Sequence, residues 1–348
     1  MFNASESSAT SPATEPHAVA VARRFKQLLE DGGDHIPLPG QGSTLERWRA
    51  LAAVAAEDLG VVKLFEGHTD ALAICAELGS VEVPSNSAWG TWCAEPPDAR
   101  LALIAVEKVR PSSSPLLFSQ PETFEVHGTK GWCSGADTVS HAVVSCWDAD
   151  DRPRLAVVQL NHPGIRVDTS HWQAVGMAAS TSYHLHFDHV PALPLGGPDD
   201  YVNRPGFWQG GAGIAACWYG GATGLADAVR VAASQRADAH RLAHLGAIDV
   251  ALAGAASVLR ETAAWIDANP SSDAEIRAVR ARLVVEDAAE KVIHHASRAL
   301  GAGPLCQDPH LARRIADLPI YLRQSHAQRD LASLGTQCIA DEGTPWTL

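Results

Sequence analysis

The middle third of the chain contains the sequence Gly128-Thr-Lys-Gly-Trp-Cys-Ser-Gly-Ala136, and Trp172-Gln-Ala-Val-Gly-Met177 follows it. Trp132 and Ser134 are separated by a single residue, so an extended backbone places both side chains on the same face of a strand. An indole on that face can cover a flat cofactor while the hydroxyl hydrogen-bonds the cofactor's edge. We therefore predict a cofactor site on this strand.

The pattern of apolar residues divides the chain into three parts and predicts an α+β fold. Residues 17–80 have helical periodicity and follow a polar segment, 1–16, which is predicted to be a disordered tail. Residues 81–195 contain short alternating or β-branched runs between turn residues, which predicts a middle antiparallel β domain whose first strand is 81–84. Residues 206–348 are rich in Ala, Leu and Arg at helical spacing, which predicts a C-terminal four-helix bundle.

Charge and hydropathy exclude two classes of partner. The 348 residues include 27 Lys and Arg against 40 Asp and Glu, for a formal net charge of -13. Nucleic-acid binding needs clustered basic residues, and the sequence has no basic block. No uncharged apolar run reaches the roughly 18 residues that a membrane helix needs. We therefore predict neither nucleic-acid binding nor a membrane span.

The cysteines and the amino end predict a cytoplasmic protein. Seven cysteines form no Cys-x-x-Cys pair, and an odd number leaves one unpaired even in an oxidising compartment. The first sixteen residues lack the basic start and apolar stretch of a secretory signal. Free thiols in a reducing compartment are therefore expected.

The order of helices, β domain and helices, together with residues 124–134 and 172–182, resembles the acyl-CoA dehydrogenase family over most of 40–335. This resemblance implies FAD as the cofactor, with Trp132 flanking the flavin ring and Ser134 bonding its N5/O4 edge. Without the resemblance, Trp132 is equally well read as a core aromatic side chain.

Three further segments correspond to cofactor contacts of that family. Trp92-Cys-Ala-Glu-Pro-Pro-Asp98 resembles the family's Thr-Glu-Pro segment, which implies cofactor contacts at Trp92 and Ala94. Pro97 removes an amide donor from the turn that holds the pyrophosphate in relatives. Arg241 is displaced by one position from the family's arginine that reaches the neighbouring subunit's cofactor, and Arg298 stands where relatives have a glutamine.

The catalytic base of the family has no counterpart in this sequence. Removal of a proton alpha to a thioester requires a carboxylate against the substrate. Ser325 and Ile214 occupy the two positions at which relatives carry the glutamate. His326 is adjacent to the first position and titrates in the useful range, so it is the candidate base, with a structural role as the alternative.

No metal site is predicted from the sequence. His184 and His186 share a strand face at a spacing compatible with metal ligation, but exposed histidines on an ordinary strand explain them better.

Three functions follow in order of preference. The first is dehydrogenation of acyl-CoA or another acyl thioester by removal of an alpha proton and a beta hydride. The second is a flavin-dependent oxygenase or oxidase, and the third is an inactive paralogue that binds a related subunit. The resemblance also implies assembly as a homodimer or homotetramer, or as a hetero-oligomer with that related subunit.

Overall fold

The computed structural model describes residues 15–79, 81–106, 123–340 and 346. Most of the predicted tail at 1–16 lies outside the described residues, as do 341–345 and 347–348 at the end of the predicted bundle.

Three helices form the amino-terminal part: α1 (His17–Glu30), α2 (Thr44–Glu57) and α3 (Leu59–Leu78). Asp58 separates α2 from α3 and caps the second of them, because its Oδ1 accepts hydrogen bonds from Gly60 N at 2.8 Å and Val61 N at 3.1 Å. Helix α3 is buried on most sides, and this burial includes the charged side chain of Glu66.

Seven strands form the sheet: β1 (Trp89–Trp92), β2 (Leu101–Val106), β3 (Thr123–Cys133), β4 (His141–Trp147), β5 (Pro153–Gln159), β6 (Ile165–Asp168) and β7 (Tyr183–Leu195). Strands β4, β2, β3, β7 and β5 pair in a ring that closes through β4 and β5, while β1 adds to β4 and β6 adds to β7. Closure leaves few unpaired edges, which limits unwanted strand pairing.

The prediction of a wholly antiparallel domain is wrong in two places. Strand β1 runs parallel to β4 with Trp89 opposite His141, and β2 meets β4 in a parallel pair at Ala102 and Trp147. Residues 81–84, predicted as the first strand, lie outside the sheet. The first strand of the sheet is β1 instead. Alternation along a segment identifies a strand but carries no information about its partner or direction, which explains both errors.

The carboxyl-terminal part contains α4 (Asp200–Asn203), α5 (Pro205–Gln235), α6 (Ala239–Ala268), α7 (Glu275–Leu300), α8 (Ala302–Gln307), α9 (Pro309–Tyr321) and α10 (Gln328–Ala340). Helices α5, α6 and α7 pack against one another, and the shorter helices α8, α9 and α10 follow them, so the described part of this region has more than the four predicted helices. Gly220 allows α5 to lie directly on α2, because a Cβ there would collide with the carbonyl oxygen of Ala52.

Helix α6 is apolar on its exposed side. It is the one helix in the described part of the chain that is long and apolar enough to cross a membrane, with a mean hydropathy of 1.7 over its most apolar window. It packs against α2, α5 and α7 on its inner side. Val250 on the outer side is 75% exposed, so an apolar surface is available there.

Candidate functional site

Trp132 presents an exposed indole at the end of β3. The side chain is 55% exposed and meets Trp172 edge-on, with ring centroids 6.2 Å apart at an interplanar angle of 89°. The alternative reading of Trp132 as a core aromatic residue is therefore wrong. A large apolar ring held in solvent next to a second one is typical of a surface that binds a flat ligand.

The backbone at this point is not the regular strand that the sequence predicts. Trp132 has φ +59°, in the left-handed region that bulky residues rarely adopt, and the pairing of β3 with β7 shifts between Lys130 and Cys133. Ser134 follows the end of the strand. The expected same-face geometry of an extended segment is thus wrong in detail, because an irregularity in the ladder turns Trp132 outwards.

A chain of three hydroxyl groups ends at Ser134. Ser134 Oγ lies 2.7 Å from Ser182 Oγ, which lies 2.9 Å from Ser180 Oγ. Three hydroxyls carry three protons, and the two bonds between them use two. Ser180 is only 1% exposed, so a spare proton there would be buried without an acceptor. The favoured direction runs from Ser180 through Ser182 to Ser134, whose proton is then free for a ligand.

The segment that carries Ser180 and Ser182 is anchored by α9. Met177 N donates a hydrogen bond of 2.5 Å to Asp317 Oδ1, and Ser180 O accepts one of 2.8 Å from Gly135 N. Burial raises the pKa of Asp317, opposed by the hydrogen bond from Met177. Asp317 is not among the residues that the sequence predicted for the site.

Trp92 contacts the backbone of Ser134. Its indole is buried, and Nε1 donates to the carbonyl oxygen of Ser134 at 3.0 Å. Ala94, two residues on, is exposed. Of these two predicted cofactor contacts, the structure brings Trp92 directly against Ser134 and leaves Ala94 on the surface.

Glu95 lies at the surface and forms an ion pair with a buried lysine. Lys130 is fully buried on β3, and its Nζ donates to Glu95 Oε1 at 2.8 Å and to the carbonyl oxygen of Ser145 at 3.0 Å. Burial works to raise the pKa of Glu95, but hydrogen bonds from Lys130 and Ser145 outweigh it and the pKa is lowered. Glu95, in the segment that resembles a cofactor loop, therefore neutralises the buried charge of Lys130, which lies two residues before Trp132.

Arg241 and Arg298 lie together at another corner of the molecule. Arg241 Nε donates to the carbonyl oxygen of Ala299 at 3.2 Å, and its NH1 group contacts the carbonyl oxygens of Ala232 and Arg236. It thus satisfies carbonyl groups at the ends of α5 and α7. Arg298 is exposed in the last turn of α7. Among the described residues, α6 and α7, which carry the two arginines, pack mainly on other helices, whereas β3 packs mainly on other strands.

His326 is exposed and begins the turn into α10. Its backbone N donates to Asp330 Oδ2 at 3.0 Å, and its Nδ1 lies 3.4 Å from Asp330 Oδ1. Ser325 is buried and accepts a hydrogen bond from Ala327 N at 3.1 Å. The position of the family's acid therefore holds a turn-forming hydroxyl, and the backbone N–H of the next residue bonds a carboxylate as at the start of a helix.

A buried polar cluster between the helices was missed in the sequence. Lys63 and Glu66 form an ion pair on α3, and Arg282 on α7 donates to the carbonyl oxygens of Gly211 at 2.8 Å and Gln324 at 3.0 Å. The signal in the sequence was the pair of opposite charges three residues apart on α3.

Two buried donors complete this cluster. The Arg282 guanidinium lies 4.8 Å from the centre of the Trp218 ring. Trp218 Nε1 and Tyr321 OH are both buried without a hydrogen-bond partner among the described residues. The Tyr321 hydroxyl is close to the Cys217 thiol, whereas no such neighbour is found for Trp218 Nε1 among the described residues. Because buried donors are nearly always satisfied, Trp218 Nε1 in particular is available to a polar ligand. Tyr321 lies one turn after Asp317 on α9, so both side chains share a face of that helix.

Several solved structures share this architecture at low sequence identity. The dibenzothiophene monooxygenase TdsC from Paenibacillus sp. A11-2 is 16% identical, with a TM-score of 0.71 over 94% of this chain and 97% of that chain. KijD3 in complex with FMN and a dTDP-linked sugar is 19% identical, with a TM-score of 0.71 over 96% of each chain. The methanesulfinate monooxygenase MsuC from Pseudomonas fluorescens is 17% identical, with a TM-score of 0.70 over 94% of this chain and 97% of that chain.

Neither a protein-family model nor a curated protein sequence matches the chain. The likeness is therefore one of structure, and it extends over almost the whole length of both partners in each comparison. The chain has the acyl-CoA dehydrogenase fold, as the resemblance predicted, in common with flavin enzymes that include monooxygenases.

Proposed function

We propose that this protein is a flavin-dependent monooxygenase that uses FMN. The observations that carry the proposal are the exposed indole of Trp132 and, two residues further along the chain, the Ser134 hydroxyl at the end of the chain of three serines. Enzymes named as monooxygenases, TdsC and MsuC, have the same fold, which supports the second of the three functions over the first.

The residues at Trp132 suit a flavin. An isoalloxazine is flat and largely apolar, and its N5 and O4 atoms accept hydrogen bonds in the oxidised state. Trp132 offers a ring face, and Ser134 offers one directed donor backed by Ser182 and Ser180. When bound and reduced, the flavin supplies the two electrons needed to activate O2 for insertion into a substrate.

FMN fits the neighbouring segment better than the predicted FAD. Pro96 and Pro97 offer no amide protons, and the Glu95 carboxylate is committed to Lys130, so this turn is poorly suited to a pyrophosphate. The solved TdsC and KijD3 structures contain FMN. A single phosphate needs fewer donors, and we propose that Arg298, aided by Arg241, supplies a cation for it from a neighbouring copy.

The missing carboxylate favours oxygenation over acyl-thioester dehydrogenation. Ser325 is buried in a turn and Ile214 is a half-buried residue of α5, so neither position of the family's acid carries one. His326 is exposed at the surface, so it does not lie in a water-excluded pocket where it could remove an alpha proton. Oxygen insertion needs no such base. Oxidation of acyl-CoA by the protein would contradict this preference for oxygenation.

The buried donors of the helical cluster are our candidates for substrate recognition. Trp218 Nε1 and Tyr321 OH would bind acceptor atoms of a polar substrate, and Arg282 would favour a negative charge on it. Tyr321 is linked to the proposed flavin site through Asp317, which lies one turn earlier on α9 and holds Met177.

We propose that the protein assembles as a homodimer or homotetramer through α6. Gly246, Val250 and Gly254 lie on its outer side, and an added Cβ at either glycine would meet nothing within 4 Å. The two glycines lie about two turns apart on the same side of the helix, which lets a second helix approach closely at both points. Light scattering of the wild type and Val250→Glu tests this: we expect a smaller species for the variant, and equal masses would exclude α6 as the interface. Ile339→Glu, at an 88% exposed position of α10, is the control.

The decisive experiment measures flavin binding and oxygen reactivity together. We expect FMN to quench tryptophan fluorescence on binding, and chemically reduced FMN on the protein to reoxidise rapidly in air. If neither FMN nor FAD binds, the proposal is wrong. Slow reoxidation combined with reduction of the flavin by acyl-CoA would instead support an acyl-CoA dehydrogenase. A stable complex with a flavin-competent relative, in the absence of flavin binding, would support the inactive paralogue.

A further inference from the structure

Two imidazoles and a carboxylate meet on the surface of the sheet, away from the proposed flavin site. His127 belongs to β3, and Asp188 and His189 belong to β7. One ligand atom from each of the three side chains lies within 4.8 Å of the others. His127 Nδ1 and Asp188 Oδ1 are 3.5 Å apart, and the two imidazole centroids are 4.7 Å apart.

An irregularity between the strands creates this cluster. Val126 pairs with Val190 and Gly128 pairs with Phe187, so the single residue His127 faces both Asp188 and His189. Such a bulge turns two consecutive side chains of one strand towards the same neighbour. His189 has φ +50°, a left-handed conformation that directs its ring back over His127. Regular alternation would have placed Asp188 and His189 on opposite faces.

The ligand atoms have the spacing of a metal site. In a tetrahedral zinc site with bonds of about 2.0–2.1 Å, neighbouring ligand atoms lie about 3.4 Å apart. The 3.5 Å between His127 Nδ1 and Asp188 Oδ1 matches this value. Two nitrogen ligands and one oxygen ligand are typical of zinc and of related divalent ions with an open coordination position.

A fourth residue orients one of the imidazoles. Glu125 Oε2 lies 3.1 Å from Nδ1 of His189, so a hydrogen bond from this nitrogen leaves Nε2 of the ring as the free ligand atom. A carboxylate that holds the second nitrogen of a histidine is a common outer partner in metal sites. The formal net charge of -13 further favours cation binding.

An open groove of about 330 Å³ adjoins the cluster and includes His127 and Asp188 in its lining. Arg166 and His186 line the same groove. A cation held by three protein ligands keeps a position for water or for a ligand in this groove, and Arg166 would favour an anionic one.

We propose that His127, Asp188 and His189 form a binding site for a divalent transition-metal cation of the zinc class. Its residues are separated by about sixty positions in sequence, which is why the sequence predicted no metal site. The proposal is independent of the flavin site and of the proposed monooxygenase activity.

The test is calorimetric titration of tag-free wild-type protein with ZnCl2, alongside His127→Ala and His189→Asn. Asparagine is chosen at 189 because it tolerates the left-handed backbone. We expect the tightest equivalent of zinc to bind at least about tenfold more weakly to both variants. The control His240→Ala, which removes an exposed histidine of α6, should bind like the wild type.

A second measurement guards against misfolded variants. Zinc should raise the melting temperature of the wild type and of His240→Ala, and should have a smaller effect on the two site variants. For each protein, the melting temperature with zinc is compared with that of the same protein without zinc. Equal zinc affinity in the wild type and both site variants, or the absence of a tight equivalent in the wild type, would overturn the proposal.

Discussion

Asp317 on α9 accepts a hydrogen bond of 2.5 Å from the backbone N of Met177, 140 residues earlier in the chain. Both partners are buried. Met177 adopts the left-handed conformation immediately before the short turn that carries Ser180, so the carboxylate fixes the start of the hydroxyl chain that ends at Ser134. A helix of the carboxyl-terminal part thereby sets the geometry of a site on the barrel.

Replacing Asp317 by Ala should destabilise the protein and weaken FMN binding. The change leaves the buried Met177 N–H without an acceptor, at a cost of about 1–3 kcal/mol in the free energy of unfolding. Urea denaturation and fluorescence titration measure the two effects. Asp317→Asn keeps an acceptor oxygen and should restore most of both. FMN affinity unchanged in Asp317→Ala would show that the turn does not depend on this bond.

Trp132→Ala should weaken FMN binding by at least about tenfold, the loss expected for an aromatic contact of about 1.5 kcal/mol. The indole is exposed, so the free energy of unfolding should change little. Trp346→Ala removes another exposed indole and is the matched control. Equal FMN affinity in all three proteins would locate the flavin elsewhere.

The three serines should contribute to flavin binding in a fixed order. Ser134→Ala removes the donor to the flavin and should cost the most affinity, about 1 kcal/mol or more. Ser182→Ala removes the group that orients this donor, and Ser180→Ala removes only the far end of the chain. Titration with FMN and the absorption spectrum of the bound flavin report the order. A larger loss for Ser180→Ala than for Ser134→Ala would reverse the inferred direction of the hydrogen bonds.

Glu95→Gln should destabilise the barrel, because it leaves the buried ammonium of Lys130 without its counter-charge. The Glu95 side chain is 36% exposed, so solvent screens the pair and the cost should be below the about 3–5 kcal/mol of a fully buried pair. The double variant with Lys130→Met removes the buried charge and should recover much of the loss. Urea midpoints of the wild type, both single variants and the double variant form the cycle that measures the coupling. Additive effects would mean that the pair is not coupled.

The same pair predicts an acid dependence. Because the pKa of Glu95 is lowered in the folded state, the pair contributes stability above the ordinary glutamate pKa. This contribution is lost as the pH falls through the folded value. The urea midpoint of the wild type should therefore fall on acidification below about pH 4.5 by more than that of the double variant.

Much of the architecture follows from local patterns. Helical spacing in 17–80 and after 206, and alternation between these parts, identify most elements, because both periodicities reflect burial on one face of a helix or strand. The prediction missed β1 and β6, which have four residues each and leave little periodicity to detect. It also expected four helices after residue 206, where the described part of the chain has the six helices α5 to α10.

Trp132 and Ser134 were recognisable in the sequence because their segment resembles a flavin-facing strand of a known family and the two residues lie two positions apart. Their surroundings were not recognisable. The outward turn of Trp132, the link from Ser134 to Ser180, and the meeting of His127 with Asp188 and His189 all depend on contacts between strands or on shifts in strand pairing. Local periodicity encodes which face of an element is buried, whereas register, bulges and partners arise only when distant segments pack together.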